Sequence, residues 1–164
     1  MNSEPRLSGC PIRLLFHEPR IPGNTGATIR LAAATGCELH LAGPLGFELD
    51  DTRLKRAGLD YHDLAHLVVH KDIEAAYEAL LPARVWAFTT GGTRGHAEVT
   101  YAEGDVLLFG PEPTGLAPEV LADERITEQL RIPMLAGRRS LNLATSAGVA
   151  AYEVWRQFGF RGAV

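Results

Sequence analysis

Six short apolar or β-branched runs punctuate the chain: IRLLF, CELHLAG, HLVVH, RVWAFTT, DVLLFG and QLRIPM. Each has the length and composition of a buried strand. Between most of them lie stretches with helical spacing, NTGATIRLAAATG, DDTRLKRAGL, DIEAAYEALLP and TGLAPEVLADE, and SLNLATSAGVAAYEVWRQFG closes the chain. Strands alternating with helices predict crossover connections and an α/β fold with a mostly parallel sheet flanked by helices. Asn24 is placed to cap the first helix and Gly36 to end it, while Asp72 is placed to cap the third. No repeat or linker splits the chain, so residues 12–160 read as one domain between a flexible N-terminal tail, 1–11, and a C-terminal tail, 161–164.

In an open parallel sheet, ligands gather beyond the carboxyl ends of the strands. Three loops of small and polar residues fall there: TTGG after RVWAF, GPEPTG after DVLLF, and PMLAGRRSLN after LRI. They predict a pocket lined mainly by backbone amides and carbonyls. A fourth segment, PGNTGATIR at residues 22–30, also follows a strand. Two residues separate its Gly23 and Gly26, and no third glycine follows in register, so it lacks the G-x-G-x-x-G spacing that lets a backbone approach a dinucleotide pyrophosphate.

Composition narrows the picture. A chain of 164 residues with 46% hydrophobic and 22% charged residues is long enough to bury a core without staples. No apolar run approaches the ~18 residues of a membrane span, and MNSEPRLSGCP lacks the apolar centre of a signal peptide; cytoplasm is the expected location. Two cysteines, Cys10 and Cys37, argue for free thiols, with Cys37 buried, and against a disulfide framework. A formal charge of −4 does not suggest a nonspecific polyanion binder, yet 14 of the 16 basic residues are arginine, the side chain that forks onto phosphate. His62, His66 and His70 are spaced four apart, but HLVVH reads as a strand and no fourth ligand accompanies them, so no metal is expected.

NTGATIR, GPEPTGL and RIPMLAGRRSLNLATSAGVAAYE resemble, in order and spacing, the three motifs of the SpoU branch of the SPOUT RNA methyltransferases. The similarity runs from about Ile12 to Phe160. GFELDDTRLKRAGLDYH further resembles the subfamily that methylates the ribose 2′-hydroxyl at the wobble nucleotide, cytidine or modified uridine, of leucine tRNA anticodons. The resemblance implies a C-terminal deep trefoil knot, a homodimer, and S-adenosylmethionine as cofactor. It places that cofactor against Phe88, Thr89, Thr90, Gly91, Gly110, Glu112, Ile132, Met134, Ser140, Leu141 and Asn142. It also makes Asn24, Arg30, Glu112, Ser140 and Asn142 the catalytic set.

These roles have a chemical reading. Methyl transfer from a sulfonium needs alignment, tolerance of positive charge and an outlet for the hydroxyl proton. Helical side chains lean toward the N-terminus, so Arg30 reaches back over Gly26, where no side chain obstructs it. Guanidinium stays protonated, which suits Arg30 to gripping phosphate and stabilising charge on the 2′-oxygen rather than to acting as base. Asn24 combines capping with positioning, and Glu112 offsets the sulfonium or holds Asn142 or Arg30. Ser140 and Asn142 open the last helix, where either can cap it. Arg53, Lys55, Arg56, Tyr61, His62, Arg94, Arg138 and Arg139 form the candidate surface for a tRNA anticodon stem-loop, with a solvated helix face as the plainer reading of the first three. Two rivals are a noncatalytic RNA-binding protein of this fold, which the intact catalytic set disfavours, and a nicotinamide-dependent oxidoreductase, whose fingerprint is missing.

Overall fold

A computed structural model describes residues 9–60 and 63–164. Seven strands, β1 (Arg13–His17), β2 (Glu38–Ala42), β3 (Leu67–His70), β4 (Val85–Phe88), β5 (Arg94–Gly95), β6 (Val106–Phe109) and β7 (Glu128–Arg131), form one sheet in the order β3-β2-β1-β6-β4-β7-β5. Every pairing is parallel. The helices are α1 (Pro22–Thr35), α2 (Asp51–Arg56), α3 (Ile73–Leu80), α4 (Pro118–Leu121) and α5 (Leu143–Gln157), with a 3-10 turn at Asp63–His66.

Period-two alternation sends the strand side chains to two cores. Leu14, Phe16, Trp86, Phe88, Leu107 and Phe109 pack with α1 and α5, whereas Leu15, Val85, Ala87, Val106 and Leu108 pack with α3. The strands β4 and β6 are buried at every position, as central parallel strands covered on both faces must be. The register sets Phe16 beside Phe109, with ring centroids 5.8 Å apart, and Phe109 stacks on Phe88 at 4.7 Å. This aromatic row lies at the ends of β1, β6 and β4, and two of the three loops spring from the last two. Beneath it, the buried Asp105 accepts from Arg84, Trp86 Nε1 and the Ala102 amide.

Several expectations need correction. The first helix begins two residues earlier than read: Pro22 lies in its first turn, Ile21 is the cap residue, and no side chain of its own caps it, so Asn24 is not the cap. Proline has no N–H to lose at that position and its fixed φ suits the first turn. The helix expected across 114–124 shrinks to the single turn α4, and the two-residue β5, too short to leave a periodic signal, joins the sheet edge. Residues 9–11 of the expected tail are packed: Cys10 is 2% exposed with its thiol on the Ala151 carbonyl, and Gly9 N donates to Arg161 O. Arg161, assigned to the other tail, pairs with Glu103 and accepts from Trp155 Nε1. Gly36 in the left-handed region ends α1, and Asp72 caps α3 by accepting from Ala75 N, both as read from the sequence.

Candidate active site

The strand order reverses at β1. Its neighbour β2 follows it directly through α1, whereas its other neighbour, β6, arrives only after the chain has crossed to the far half of the sheet. The crevice between the carboxyl ends of β1 and β6 is therefore the topological switch point, where ligands of such sheets bind. Glu112, on the loop after β6, spans this crevice. Its Oε1 accepts from Arg20 N at 2.9 Å, and its Oε2 accepts from Ile21 N at 3.1 Å and from Asn24 Nδ2 at 2.9 Å. The carboxylate thus clamps the chain where it enters α1, accepting from the N–H groups of Arg20 and of the cap residue Ile21 and from the Asn24 side chain 88 residues away. Partial burial works to raise its pKa, and the hydrogen bonds from Arg20 N, Asn24 and Ile21 N outweigh it, so Glu112 is held below its ordinary 4.5.

Asn24 passes the connection on. Its Oδ1 accepts from Asn142 Nδ2 at 2.9 Å, and Asn142 Oδ1 in turn caps α5 by accepting from Thr145 N at 3.2 Å. One hydrogen-bonded chain, Glu112 to Asn24 to Asn142, therefore ties together the loop after β6, the start of α1 and the start of α5. Of the two candidate caps for α5, Asn142 caps and Ser140 lies outside the helix, exposed. Glu112 holds Asn142 through Asn24 and makes no bond to Arg30.

The remaining cofactor candidates lie at the end of β4 and on the loops after β4, β6 and β7. Phe88 is buried, Thr89 N donates to Leu130 O, and Thr89 Oγ1 accepts from Gly91 N. Gly91 faces open space, whereas a Cβ on Gly92 would lie 2.4 Å from the Leu130 carbonyl carbon, so Gly92 is the obligatory glycine of the pair. Gly110 is equally closed, its Cβ direction ending 2.2 Å from Leu116 N. Ile132 packs on the core, while Met134 and Leu141 present 38% and 39% of their surface to solvent. Thr90 and Ser140 are exposed.

Arg30 is exposed on α1, its Nη2 donating to Gly58 O at 3.0 Å. Gly58 was not anticipated from the sequence; its φ of +76° is the signal a glycine after KRA can carry. Arg53, Lys55 and Arg56 lie exposed on α2, Arg53 loosely paired with its cap Asp50 at 3.5 Å. Arg138 and Arg139 are exposed on the loop before α5. Arg94 stands apart: on the outermost strand, it is engaged by Glu128 at 2.9 Å and by Glu98 O. Tyr61 and His62 lie outside the described residues. His66 sits in the 3-10 turn and His70 bonds His40 at 2.8 Å, and among the described residues no three metal-ligating side chains converge.

A groove of about 740 Å³ lies elsewhere, between the C-terminal ends of α1 and α5, and among the described residues no acidic or arginine side chain lines it. A second, of about 350 Å³, lies between the first turns of α1 and α2, next to Asn24.

A parallel α/β domain whose switch point is bridged by Glu112 and by asparagines at the starts of two helices, without a dinucleotide fingerprint, fits the class of cofactor-binding transferases rather than the dinucleotide dehydrogenases. Residues 11–152 match the SpoU rRNA Methylase family, and the chain belongs to that family. It is 52% identical over 149 residues, covering 91% of this chain and 97% of the relative, to the tRNA (cytidine(34)-2'-O)-methyltransferase of Saccharophagus degradans. The protein of that name from Escherichia coli K12 is 47% identical over 153 residues, with 93% and 98% covered. A solved structure that describes 2-OH methylation of C/U34 on tRNA superposes with a TM-score of 0.83 at 50% identity, covering 92% of this chain and 97% of that one. A SpoU methyltransferase of Streptomyces viridochromogenes in complex with the cofactor AdoMet superposes at 0.73 with 26% identity, covering 92% of this chain and 58% of that one.

Proposed function

We propose that this protein methylates the ribose 2′-hydroxyl of the wobble nucleotide, cytidine or modified uridine, in tRNA anticodons, with leucine tRNAs as substrates and S-adenosylmethionine as methyl donor. The observation that carries the reading is the hydrogen-bonded chain Glu112–Asn24–Asn142, which joins three separated sequence motifs at the switch point of the sheet. The likeness to relatives bearing that activity in their names supports the substrate class.

The residues fit the cofactor. A small-residue cradle with an open Gly91, an apolar edge at Met134 and Leu141, and an ionised carboxylate nearby suit a molecule with an adenine, a polar tail and a positive sulfur. When bound, S-adenosylmethionine supplies the methyl group. The rest is done by the chain: Asn142 and the 88–91 and 132–142 loops bind and orient, and Asn24, fixed on both sides of its amide, positions the reacting ribose. Arg30 spends one nitrogen on Gly58 O, and its remaining N–H groups grip the substrate phosphate and stabilise charge developing on the 2′-oxygen. The hydroxyl proton leaves to a phosphate oxygen or to water.

Dimerisation belongs to the same proposal. Thr145, Val149 and Tyr152 form an exposed stripe at helical spacing on α5, Leu141 is exposed on the loop just before it, and Gly148 beside the stripe meets nothing within 4 Å, which suits close approach of a second copy. Residues 12–160 form the working domain, the 132–142 connection carries the knot, and the protein acts in the cytoplasm. Among the described residues no helix is long and apolar enough to cross a membrane.

The test is transfer of labelled methyl to tRNA lacking wobble ribose methylation, with nucleoside mapping, by the native protein and by Arg30→Ala. Label at the wobble 2′-oxygen, lost in the variant, is expected. Label at another nucleotide overturns the substrate assignment, and absence of both transfer and cofactor binding overturns the enzyme.

A further inference from the structure

The groove between α1 and α2 has a composition that the methyl-transfer site does not explain. Its floor and walls are apolar, with Gly26 and the buried Ile29 on one side and Phe47, Leu49 and Leu54 on the other. Its rim is basic: Arg53 and Arg56 line it, Arg30 reaches the adjoining Gly58, and among the described residues Glu48 is the one acid in the lining. A volume of about 350 Å³ falls at the small end of the range of ligand pockets. Apolar walls that include an aromatic ring, beneath guanidinium groups, are what a nucleotide needs: a face for the base to stack on and cations for the flanking phosphates.

Thr25 adds an independent observation. It lines the groove and is 1% exposed, yet among the described residues its hydroxyl has no hydrogen-bond partner. Buried polar groups are nearly always paired, and an unpaired one costs stability unless something else completes it. Gly23 and Thr25 also bracket Asn24, so the groove shares one helical turn with the residue that positions the ribose. Gly26 keeps it open: a Cβ there would stand 3.7 Å from Ala57 Cβ, in ordinary contact, and any longer side chain would enter the groove.

We infer that this groove receives the base of the nucleotide whose ribose is methylated, and that the Thr25 hydroxyl is its hydrogen-bonding group. The inference rests on the RNA-methylating reading of the adjacent site. A hydroxyl both donates and accepts, so it satisfies the amino edge of cytosine and the carbonyl edge of uracil alike. The groove therefore selects for a stacked base while accepting both pyrimidines.

The experiment compares binding of a fluorescent anticodon stem-loop RNA, intact or lacking only the base at the target nucleotide, to native protein, Gly26→Leu and Thr25→Val. Native protein is expected to prefer the intact RNA by about tenfold, the scale of a lost base-stacking contact. Gly26→Leu loses that preference while its affinity for S-adenosylmethionine, measured calorimetrically, is unchanged. Thr25→Val keeps its melting temperature, since no internal hydrogen bond is lost, but loses several-fold of the preference; cytosine and uracil remain equivalent in native protein. Methyl transfer by native protein without any preference for the intact base overturns this inference alone, as does a preference that survives Gly26→Leu. Absence of methyl transfer to any RNA overturns the parent reading and this one with it.

Discussion

Replacing Glu112 by glutamine tests the joint on which the site is built. The native carboxylate accepts three hydrogen bonds, from Arg20 N, Ile21 N and Asn24 Nδ2. A glutamine carbonyl can retain the donors on one side, but its amide then confronts N–H groups on the other and at least one bond is lost. Hydrogen bonds to a charged group are worth about 1.5–3 kcal/mol each, and a carboxylate at a helix start adds about 0.3–1 kcal/mol. Water reaches this half-buried group and recovers part of the loss, which leaves a net cost of about 2–3 kcal/mol. For a domain of this size that lowers the melting temperature by about 5–10 °C. The pH dependence carries a sign. Because the folded pKa of Glu112 is depressed, its contribution is present above the ordinary 4.5 and is lost as pH falls through the folded value. The gap in melting temperature between native and Glu112→Gln, read by circular dichroism, should be full near neutrality and should narrow on acidification below 4.5. Methyl transfer should fall by about a hundredfold, because Asn24 and Asn142 lose their common anchor. A variant that melts with the native protein near neutral pH, or keeps native activity, would refute the anchoring role.

Gly91→Ala should leave the denaturation midpoint unchanged, whereas Gly92→Ala, driven into the Leu130 backbone, should cost at the upper end of ~1–3 kcal/mol in urea unfolding. Asp105→Ala leaves the Trp86 Nε1 and Ala102 N donors without their acceptor, while Arg84, 42% exposed, turns to water; at ~1–3 kcal/mol per unsatisfied group the cost should be about 2–4 kcal/mol, with quenched or shifted tryptophan fluorescence reporting the loosened ring. Burial lowers the pKa of His17, His70 and His96, with His40 lowering that of His70 further, so the unfolded chain binds more protons than the folded one. Stability should therefore decline as pH falls below the ordinary 6.5, and His70→Phe should flatten that slope in urea titrations across the window. Burial pushes the Cys10 and Cys37 thiols up to about 12 and about 11, so neither should react with a thiol reagent at mildly alkaline pH until denaturant is added.

What the sequence revealed, and what it withheld, divides by the range of the interaction. Runs such as DVLLFG and RVWAF become fully buried central strands because apolar content alone commits them to the interior. Gly36 and Asp72 act on residues within one helical turn, so their capping roles are legible locally. Asn24 was misread as a cap because its residue type fits that job, while the group that serves the helix entry is a carboxylate 88 residues away. No local rule reaches that far. The same holds for Asn142: its capping of Thr145 N is a three-residue event, but its bond to Asn24 crosses 118 residues and exists only once β6 lies against β1 and α5 against α1. Motif order supplied the membership of the site, and topology supplied its wiring. Arg94 carries a partner that its neighbours in sequence do not announce: the fold sets Glu128 beside it, so any phosphate it meets must compete with that half-exposed pair. Thr25 was passed over because a threonine inside a helix looks ordinary, and its significance lies in a partner that the fold fails to supply. A buried hydroxyl left unpaired beside Asn24, the residue proposed to position the ribose, is physically costly unless the substrate completes it, which is why the groove at Thr25, rather than the one at the far end of α1, is the place to look for the base.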